Sequence, residues 1–590
     1  MAAFLVVGKR EVIYTNKKIC ERGMGMACTV AIGIQDFEKI IKNHIFYIDK
    51  THFIKEWWES GDDVTLITRP RRFGKTLNMS MLDYFFSNRH PNRGDLFEGL
   101  AIWEDEKYRQ LQGTYPVISL SFANIKEADY SETREKICGI IRNIYKENAF
   151  LRESDILIDA DKKYFEKILL DEDVRDADIT VALHQLSCYL YRYYGKKVII
   201  LLDEYDTPMQ EAYVRGFWDE LVTFTRSMFN ATFKTNPYLE RGIMTGITRV
   251  SKESIFSDLN NLKVVTATSD EYATAFGFTE EEVFTALDVC GLGEEKQEVK
   301  RWYDGFTFGS FTDIYNPWSV LNFLDTGKYG IYWANTSSNS LVGKLIREGN
   351  EQIKQTFESL LRGETICCPI DEQIVYNQLD DNENAIWSLL LASGYLKVLS
   401  YEQMELLDSS EDVMYELTLT NREVLRMFYG MVKGWFGVAS SEYNAFVKAL
   451  LMNDKKSMNA YMNRLSLNIF SYFDTGNRPS GQEPERFYHG FVLGLIAELT
   501  SKYIITSNRE SGFGRYDVVI EPKDKTKDAM ILEFKVHDAE DEADLKETVA
   551  AALKQIDEKQ YEAGLIARGF APEQIRKYGF AFEGKKVLIG

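Results

Sequence analysis

Residues 64–78 read VTLITRPRRFGKTLN and place an apolar segment directly before a basic turn and a Gly-Lys-Thr triplet. The segment VTLIT consists mostly of β-branched and apolar residues, which is typical of a strand buried on both faces. The run after the triplet, LNMSMLDYFF, has the apolar spacing of a helix. The stretch therefore predicts a strand, a tight loop and a helix whose N-terminal N–H groups are able to bind phosphate.

The triplet Gly74, Lys75 and Thr76 matches the end of the phosphate-binding pattern G-x-x-x-x-G-K-[ST]. In that pattern the lysine neutralises β- and γ-phosphate oxygens, and the hydroxyl binds Mg²⁺. The first glycine of the pattern is replaced by Arg69, which lacks the freedom of glycine at positive φ. Taken alone, the stretch is also compatible with an ordinary strand-turn-helix that carries a surface lysine.

A second motif lies at residues 197–206, KVIILLDEYD, where an apolar run ends in paired carboxylates. This arrangement is typical of a Walker B strand, in which Asp203 would hold Mg²⁺ through water. Glu204 would then orient or deprotonate the attacking water. The alternative is that the two carboxylates merely end a buried strand. Combined with the upstream motif, the pattern predicts a site for ATP and Mg²⁺.

A further strand is predicted at residues 242–246, within ERGIMTGITR. Thr248 and Arg249 follow its C-terminal end, the edge where open α/β sheets bind their ligands. We predict that Thr248 senses the γ-phosphate and that Arg249 acts as a charge clamp, in cis or toward a neighbouring subunit. A turn hydrogen bond and a surface salt bridge are the alternative roles.

Composition limits the classes of protein that need to be considered. A chain of 590 residues is too long for one core and indicates roughly three or four domains. Seven cysteines without a CxxC pair argue against a zinc site and predict a reducing, cytoplasmic location. The sequence contains no long uncharged apolar span, so no membrane helix is predicted. The net charge of −20 argues against nonspecific DNA binding by the whole molecule, although a local basic channel remains compatible with it.

Four regions are predicted along the chain. Residues 1–30 form a loosely held leader, and residues 31–275 form an ATPase domain. Residues 276–480 form a helical lid and a winged-helix-like region, and residues 481–590 form the last domain. The polar breaker cluster DTGNRPSGQEPE at residues 474–485 marks the last boundary.

Two segments define the predicted middle region. Residues 302–324, WYDGFTFGSFTDIYNPWSVLNFL, are dense in aromatic residues, glycine and proline, which predicts a rigid packed turn rather than a catalytic loop. Farther on, a helix at 385–393, strands at 395–401 and 413–420, and a helix from Arg422 predict a winged-helix-like module. We expect this module to pack on the ATPase domain rather than to bind DNA, because its turn is acidic.

Near the C-terminus, the strand candidates RYDVVI (515–520) and AMILEFKV (529–536) carry Asp517, Glu533 and Lys535. Residues two apart on a strand share a face, so Glu533 and Lys535 converge, and an antiparallel partner strand brings Asp517 to them. Two carboxylates bind Mg²⁺, whose bound water becomes the nucleophile, and the lysine stabilises the phosphate. A salt-bridged strand pair is the alternative, since E-x-K also occurs by chance in exposed strands.

The segments GIQDFEKII (33–41), YIDKT (47–51) and PRRFGKT (70–76) resemble the bacterial and archaeal AAA-ATPase-like family. The Tyr-Asp-Gly-aromatic and Asn-Pro-Trp-Ser stretches resemble it too. The resemblance implies that arginine at position 69 is normal for the family. It also implies that Arg71 and Arg72 supply charge to the nucleotide pocket, with a solvated loop face as the alternative.

The segments GRYD (514–517) and EFK (533–535) resemble the PD-(D/E)xK nuclease superfamily. The resemblance implies a restriction-endonuclease-like α/β domain with Asp517, Glu533 and Lys535 as its catalytic residues. It further implies a role for Gln555 on a helix at 545–556. Glu498, or its rival Glu485, would be the carboxylate of the first helix.

Together these patterns predict an α/β chain with an AAA-like P-loop core. Its function would be ATP hydrolysis coupled to Mg²⁺-dependent cleavage of DNA, in defence against or maintenance of mobile DNA. The alternative is a nucleotide-gated switch whose inactive nuclease fold contacts protein or nucleic acid. A pure ATPase with a packing tail is the third hypothesis. AAA-type relatives often act as rings or dimers, so a homo-oligomer is also considered.

Overall fold

The computed structural model of the chain describes most of its length as two compact units. The described residues are 13–14, 29–170, 174–234, 236–248, 256, 259–334, 340–348, 351–371, 383–405, 411–435, 440–469, 492, 496, 499, 502–511, 514–538, 542–583 and 586–590. The first unit comprises Met1–Glu348 and Gly363–Leu425, and the second comprises Gly349–Arg362 and Arg426–Gly590.

Up to residue 246, helices alternate with short strands, as expected for an α/β domain. The elements are β1 (Ile13–Tyr14), α1 (Phe37–Lys42), β2 (Tyr47–Ile48), α2 (His52–Glu59), β3 (Val64–Thr68), α3 (Lys75–Phe86), α4 (Glu106–Leu111), β4 (Val117–Ser121), α5 (Tyr130–Glu147), α6 (Phe150–Glu153), α7 (Asp159–Leu170), α8 (Asp176–Ile179), α9 (Ala182–Tyr194), β5 (Val198–Asp203), α10 (Thr207–Arg215), α11 (Trp218–Phe229) and β6 (Leu239–Gly246).

Between residues 262 and 469 the described elements are mainly helices and short hairpins. They are β7 (Leu262–Val265), β8 (Phe278–Thr279), α12 (Glu280–Val289), α13 (Lys296–Tyr303), β9 (Phe306–Phe308), β10 (Phe311–Tyr315), α14 (Pro317–Thr326), α15 (Ser340–Glu348), α16 (Glu351–Leu361), β11 (Ile366–Pro369), α17 (Glu383–Ala392), β12 (Leu396–Glu405), β13 (Glu411–Leu419), α18 (Arg422–Trp435), α19 (Ser440–Leu451) and α20 (Lys455–Ile469). The predicted helix, two strands and following helix of the middle region correspond to α17, β12, β13 and α18. A third strand, β11, pairs with β13 and was not predicted.

The last elements form the C-terminal sheet and its helices. They are β14 (Tyr503–Ser511), β15 (Gly514–Pro522), β16 (Ala529–Val536), α21 (Leu545–Glu558), α22 (Ala563–Ala567), β17 (Ile575–Glu583) and β18 (Lys586–Ile589).

The sheet of the first unit has five parallel strands in the order β4-β5-β6-β3-β7. All five residues of β3 and all six of β5 are buried, which explains their nearly continuous apolar sequences. Strand β6 lies between them, with Thr68 beside Gly246 and Leu202 beside Met244. The C-terminal ends of β3, β5 and β6 therefore meet at one edge of the sheet.

Residues 302–324 contain regular structure rather than a packed turn alone. The hairpin β9–β10 joins β8 in a small antiparallel sheet, and α14 begins directly after it. The Asn316 side chain accepts hydrogen bonds from the N–H groups of Trp318 and Ser319, which caps the helix. Trp302, Tyr303 and aromatic residues of α14 share one core with α12, so the expected rigidity of this segment has a physical basis.

The sheet of the second unit is mixed, in the order β14-β15-β16-β17-β18. Only β16 and β17 pair in parallel, with α21 as the connection between them. One face packs on α19 and α20, through Phe446, Met462 and other apolar residues. The other face packs on α21, through Ile531 and Ile556.

Several predictions concern residues that the structure describes only in part. Of the predicted leader it describes 13–14, which pair with β2, and 29–30; the rest lies outside the described residues. The cluster at 474–485 and Glu498 also lie outside them, so the domain boundaries stay predictions. No helix in the described part of the chain is long and apolar enough to cross a lipid bilayer.

Candidate functional sites

The loop between β3 and α3 has the backbone of a phosphate cradle. Gly74, the N-cap of α3, has φ of 82°, and an added Cβ there would contact nothing within 4 Å. Glycine is therefore required at this position for its backbone conformation and not for lack of space. Arg72 also has positive φ, at 66°, although it is not glycine. Two left-handed residues so close together give the loop its tight curvature.

The side chain of Lys75 is buried at the centre of this loop. Its Nζ donates to the carbonyl oxygens of Arg69 at 3.0 Å and Pro70 at 3.1 Å, and lies 3.4 Å from Oε1 of Glu204. The structure thus brings together the lysine of the first motif and the second carboxylate of the second motif. A phosphate that enters the loop would replace these oxygens as partners of the ammonium group.

Asp203 links the two motifs through hydroxyl groups. Its Oδ2 accepts a hydrogen bond from Thr76 Oγ1 at 2.7 Å, and its Oδ1 accepts one from Thr245 Oγ1. The Thr245 hydroxyl in turn accepts from the N–H of Glu204 at 3.3 Å. Burial raises the pKa of Asp203, and the neighbouring charge of Glu204 adds to the effect. A cation bound here would remove that electrostatic cost.

Thr76 and Asp203 fit a magnesium ion by their chemistry. Both are oxygen donors at the entrance of a phosphate loop, and Mg²⁺ in such sites takes one or two protein oxygens, with phosphate and water as the other ligands. The buried carboxylate of Asp203 supplies the negative charge. We therefore keep Thr76 and Asp203 as the candidate Mg²⁺ ligands of this site.

Arg69 has a structural role that its sequence position did not reveal. Its side chain is fully buried and donates to the carbonyl oxygens of Thr68, Thr266 and Glu271. The guanidinium carbon lies 4.2 Å from the ring centre of Phe308, and burial lowers the pKa of Arg69 to about 9. The arginine therefore ties the start of the loop to the segment after β7 and to β9, where the usual pattern has glycine.

The other two arginines of the loop point in different directions. Arg71 donates to Gln210 Oε1 on α10 at 3.1 Å. Arg72 is exposed, and its guanidinium carbon lies 4.3 Å from the ring centre of Trp318 on α14. Partial burial lowers the pKa of Arg72, whereas the charge of Glu204 raises it. The indole ring of Trp318 and the charge of Glu204 thus both contribute to the surroundings of Arg72.

The predicted γ-phosphate sensor lies deeper than expected. Thr248 is fully buried, and its hydroxyl and N–H both donate to Oδ2 of Asp206. The N–H of Ile247 donates to the same oxygen at 2.8 Å. This is the turn hydrogen bond considered as the alternative, and the sensor role stays a prediction. Arg249 lies outside the described residues.

Three residues of this region were missed by the sequence reasoning. Thr245 bridges Asp203 and Glu204, Asp206 holds the turn after β6, and Asn316 donates to the carbonyl of Arg71 at 3.3 Å. A hydroxyl residue directly after the apolar pair Ile243 and Met244, near the C-terminal end of β6, was the available signal for Thr245. Asn316 carried a signal only as a helix cap, which gave no indication of its second contact.

The second candidate site lies where the ladder between β15 and β16 ends. The last paired residues are Val518 and Leu532, and the next positions along the two strands are Asp517 and Glu533. The N–H of Phe534 donates to Oδ2 of Asp517 at 2.8 Å, and the N–H of Asp517 lies 3.4 Å from Oε2 of Glu533. Carboxylates thus replace backbone partners at this point, and the predicted approach of Asp517 to Glu533 is observed.

Glu533 and Lys535 lie on one face of β16, and Gln555 lies on α21. Glu533 is 2% exposed and accepts a hydrogen bond from Gln555 Nε2 on α21, which also contacts the hydroxyl of Tyr561 at 3.2 Å. Burial raises the pKa of Tyr561, and the charges of Glu533 and Asp517 add to this effect. Lys535 is half-buried and makes no ion pair with the described residues.

Asp517 and Glu533 also suit a magnesium ion, because both offer carboxylate oxygens at one point of the sheet. Glu533 is buried and accepts hydrogen bonds from the Gln555 amide and from the N–H of Asp517. No cluster of three or more His, Cys, Asp or Glu side chains is found where the structure describes the chain. Asp517 and Glu533 are the candidate ligands that the described residues offer to a metal at this site.

Comparison with known proteins agrees with the division into two sites. Residues 31–256 match the family model described as predicted AAA-ATPase, and residues 483–590 match that of the PD-(D/E)XK nuclease superfamily. Both resemblances inferred from the sequence are confirmed.

An uncharacterized protein in the vnfD 5′ region of Azotobacter chroococcum mcd 1 is 26% identical over 319 residues. The match spans 54% of this chain and 56% of that protein, so the chain covers little more than half of its relative's length. Because that relative is itself uncharacterized, the similarity gives no information on activity.

Proposed function

We propose that this chain, which carries an AAA-ATPase-like domain and a PD-(D/E)XK nuclease superfamily domain, hydrolyses ATP at the first site and cleaves DNA at the second. Both reactions would depend on Mg²⁺. One observation carries the proposal: each site gathers side chains that lie far apart in sequence but belong to a single phosphate chemistry. Lys75 with Glu204, and Thr76 with Asp203, form the first set; Asp517 with Glu533 forms the second.

At the first site, the N–H groups at the start of α3 and the ammonium group of Lys75 would bind the phosphates of ATP. Lys75 would exchange its present oxygen partners for phosphate oxygens. Glu204 would then be released from Lys75 and become available to orient the attacking water. When bound, Mg²⁺ supplies charge neutralisation on the phosphates.

At the second site, Asp517 and Glu533 would hold Mg²⁺ beside the scissile phosphate, and Lys535 would stabilise the negative charge that develops there. Gln555 keeps Glu533 in place by its hydrogen bond from α21. The absence of an ion pair from Lys535 to the described residues supports this role, because a lysine reserved for substrate needs no internal partner.

The test uses the full-length chain and two variants. Glu204→Gln should bind ATP and fail to turn it over, because the amide is unable to act as a base. Asp517→Asn should lose Mg²⁺-dependent cleavage of labelled DNA and retain ATP hydrolysis. Wild-type protein that neither hydrolyses ATP nor cuts DNA with Mg²⁺ and ATP present would contradict the proposal.

A second candidate function is a nucleotide-gated binding protein whose nuclease fold is inactive. The observation that favours it is the burial of Glu533, whose two carboxylate oxygens already have partners in Gln555 and in the N–H of Asp517. Under this alternative, ATP would change the affinity for DNA or for a protein without any cleavage. DNA binding that responds to ATP, with intact DNA recovered in Mn²⁺ as well as Mg²⁺, would favour the switch.

The cellular setting also belongs to the proposal. We infer a cytoplasmic protein that acts in defence against or maintenance of mobile DNA, with a homo-oligomer as the working assembly. Light scattering of the full chain with and without ATP tests the assembly. A monomer under both conditions would remove that part of the proposal.

A further inference from the structure

The segment from β9 to α14 contacts the loop between β3 and α3 at several points. The ring of Phe73 is buried between Phe306 and Phe308, at centroid distances of 4.7 and 5.6 Å. Phe308 also stacks on the guanidinium group of Arg69. The backbone of the loop is therefore shaped by a hairpin that the sequence places far downstream.

Asn316 connects the loop to the start of α14. Its Nδ2 donates to the carbonyl oxygen of Arg71, while its Oδ1 accepts from the N–H groups of Trp318 and Ser319. The side chain is 1% exposed, so water does not compete for these bonds. One amide thus fixes a loop carbonyl and the first turn of the helix together, and Trp318 is held against the loop as a result.

Trp318 provides the surface on which Arg72 lies. The guanidinium carbon is 4.3 Å from the indole ring centre, within the range of a cation–π contact. The indole also faces Gly33, where an added Cβ would contact the ring at 3.8 Å. The opposite charge of Glu204 raises the pKa of Arg72, against the lowering effect of burial, so the two groups lie close enough to interact electrostatically.

We propose that Trp318 is a positioning residue that holds Arg72 beside Glu204, where the guanidinium group meets the γ-phosphate of ATP, and that Asn316 positions the loop that binds the other phosphates. This inference rests on the proposed ATP hydrolysis. A planar guanidinium group is able to stack on an indole and bind phosphate oxygens at the same time. Because the stacked arginine is already ordered, it loses less conformational freedom when the phosphate binds.

The two positioning residues predict different kinetic effects. Trp318→Leu should lower kcat roughly 10- to 100-fold through misplacement of Arg72, and it should reduce the preference for ATP over ADP. Affinity for ADP, which lacks the γ-phosphate, should change little. Asn316→Ala should weaken the binding of ATP and ADP together, because the loop serves the phosphates common to both nucleotides.

The experiment measures ATP and ADP affinities and ATP hydrolysis on the full-length chain. Trp318→Phe keeps an aromatic ring and should retain most of the activity, whereas Arg72→Ala should reproduce the Trp318→Leu phenotype. The double variant Arg72→Ala/Trp318→Leu should have the same kcat as Arg72→Ala alone, because both substitutions remove the same contact between Arg72 and Trp318. Asp325→Ala, at an exposed position on the same helix, is the matched control and should behave as wild type.

The outcomes separate this inference from the proposed function. Wild-type protein without ATP hydrolysis would overturn both. Wild-type hydrolysis with an unchanged kcat and ATP preference in Trp318→Leu would overturn the inference alone. If Trp318→Leu fails to fold, the other two variants test the inference. Arg72→Ala should lose the preference for ATP over ADP, and Trp318→Phe should retain it. A wild-type preference in Arg72→Ala would overturn the inference.

Discussion

The two candidate sites differ in the groups that contact their carboxylates. In the first unit, the ammonium group of Lys75 is buried 3.4 Å from Glu204, and hydroxyl groups donate to both oxygens of Asp203. In the second unit, Asp517 and Glu533 have N–H groups and the Gln555 amide among their partners. The first site thus places a buried ammonium group beside a carboxylate, whereas in the second site carboxylates accept from backbone N–H groups where the strand ladder ends.

This difference follows from the way each sheet builds its site. In the first unit, parallel strands β3, β5 and β6 end at the same edge, which brings a loop lysine and a strand-end carboxylate together. In the second unit, an antiparallel ladder ends and two carboxylates face each other across it. The first site is therefore built at the shared edge of parallel strands, and the second at the end of an antiparallel ladder.

The largest effect is expected from removal of the ammonium group of Lys75 in the first site. Lys75→Ala should abolish ATP binding and lower hydrolysis on the order of 100-fold or more, because a buried charge aimed at the phosphates is removed. Nucleotide binding and phosphate release measure the effect. Lys42→Ala, an exposed lysine on α1, is the control. Hydrolysis by Lys75→Ala at the wild-type rate would show that the loop is not a nucleotide site.

The corresponding change in the second site is Lys535→Ala. DNA cleavage in Mg²⁺ should fall on the order of 100-fold, since the phosphate loses its stabilising charge, while ATP hydrolysis stays unchanged. Lys527→Ala, in the loop before β16, serves as the control. Cleavage that survives in Lys535→Ala would remove the lysine from the mechanism and weaken the contrast between the two sites.

The first unit also contains a buried carboxyl group that belongs to neither site. Glu423 accepts hydrogen bonds from the N–H groups of Tyr332 and Trp333 and from the Ser319 hydroxyl. Burial outweighs these donors and raises the pKa of Glu423 from 4.5 to about 7. Because the folded state holds the proton more tightly than the unfolded state, this residue contributes stability below pH 4.5 that is lost as the pH rises toward 7.

Glu423→Gln should therefore gain free energy of unfolding relative to wild type as the pH rises from about 4.5 to 7, by at most about 3 kcal/mol. Denaturant titrations at several pH values measure the difference. Glu153→Gln, at an exposed position on α6, should show no such trend. A difference between wild type and Glu423→Gln that is independent of pH would mean that the carboxyl group keeps its ordinary pKa.

The smallest expected effect concerns the stability of the second unit. A Cβ at Gly579 would lie 2.8 Å from the carbonyl oxygen of Val549 and 3.1 Å from Cβ of Ala552. Gly579→Ala should thus cost about 2 kcal/mol, seen as a lower midpoint of unfolding, with ATP binding preserved. Gly139→Ala on α5, where an added Cβ contacts nothing within 4 Å, should stabilise by about 0.5 kcal/mol instead. Equal effects of the two substitutions would contradict the packing argument.

Local sequence patterns located several of the segments that the structure brings together. Apolar runs located β3 and β5, and Thr76, after the first strand, donates a hydrogen bond to Asp203 at the end of the second. The same holds for Asp517 and Glu533, because the two-residue period of a strand determines which side chains share a face.

Contacts between distant segments were beyond such reasoning. Arg69 occupies the position of the first glycine in the phosphate-binding pattern. Its guanidinium group donates to carbonyl oxygens of Thr266 and Glu271, and no local sequence pattern predicts these contacts. The hydroxyl of Thr245 and the amide of Asn316 likewise acquire their roles only when β6 and α14 are placed beside the loop. These positions depend on tertiary packing, on which residue spacing carries no information.

The most direct test of two separate phosphate-handling centres is Mn²⁺ binding to the full-length chain, followed by electron paramagnetic resonance with and without ADP. We predict binding without nucleotide that Asp517→Asn abolishes, and additional binding on addition of ADP that Thr76→Ala abolishes. Each variant should leave the other event intact. A single binding event that both variants remove, or ADP-independent binding that survives Asp517→Asn unchanged, would contradict the account.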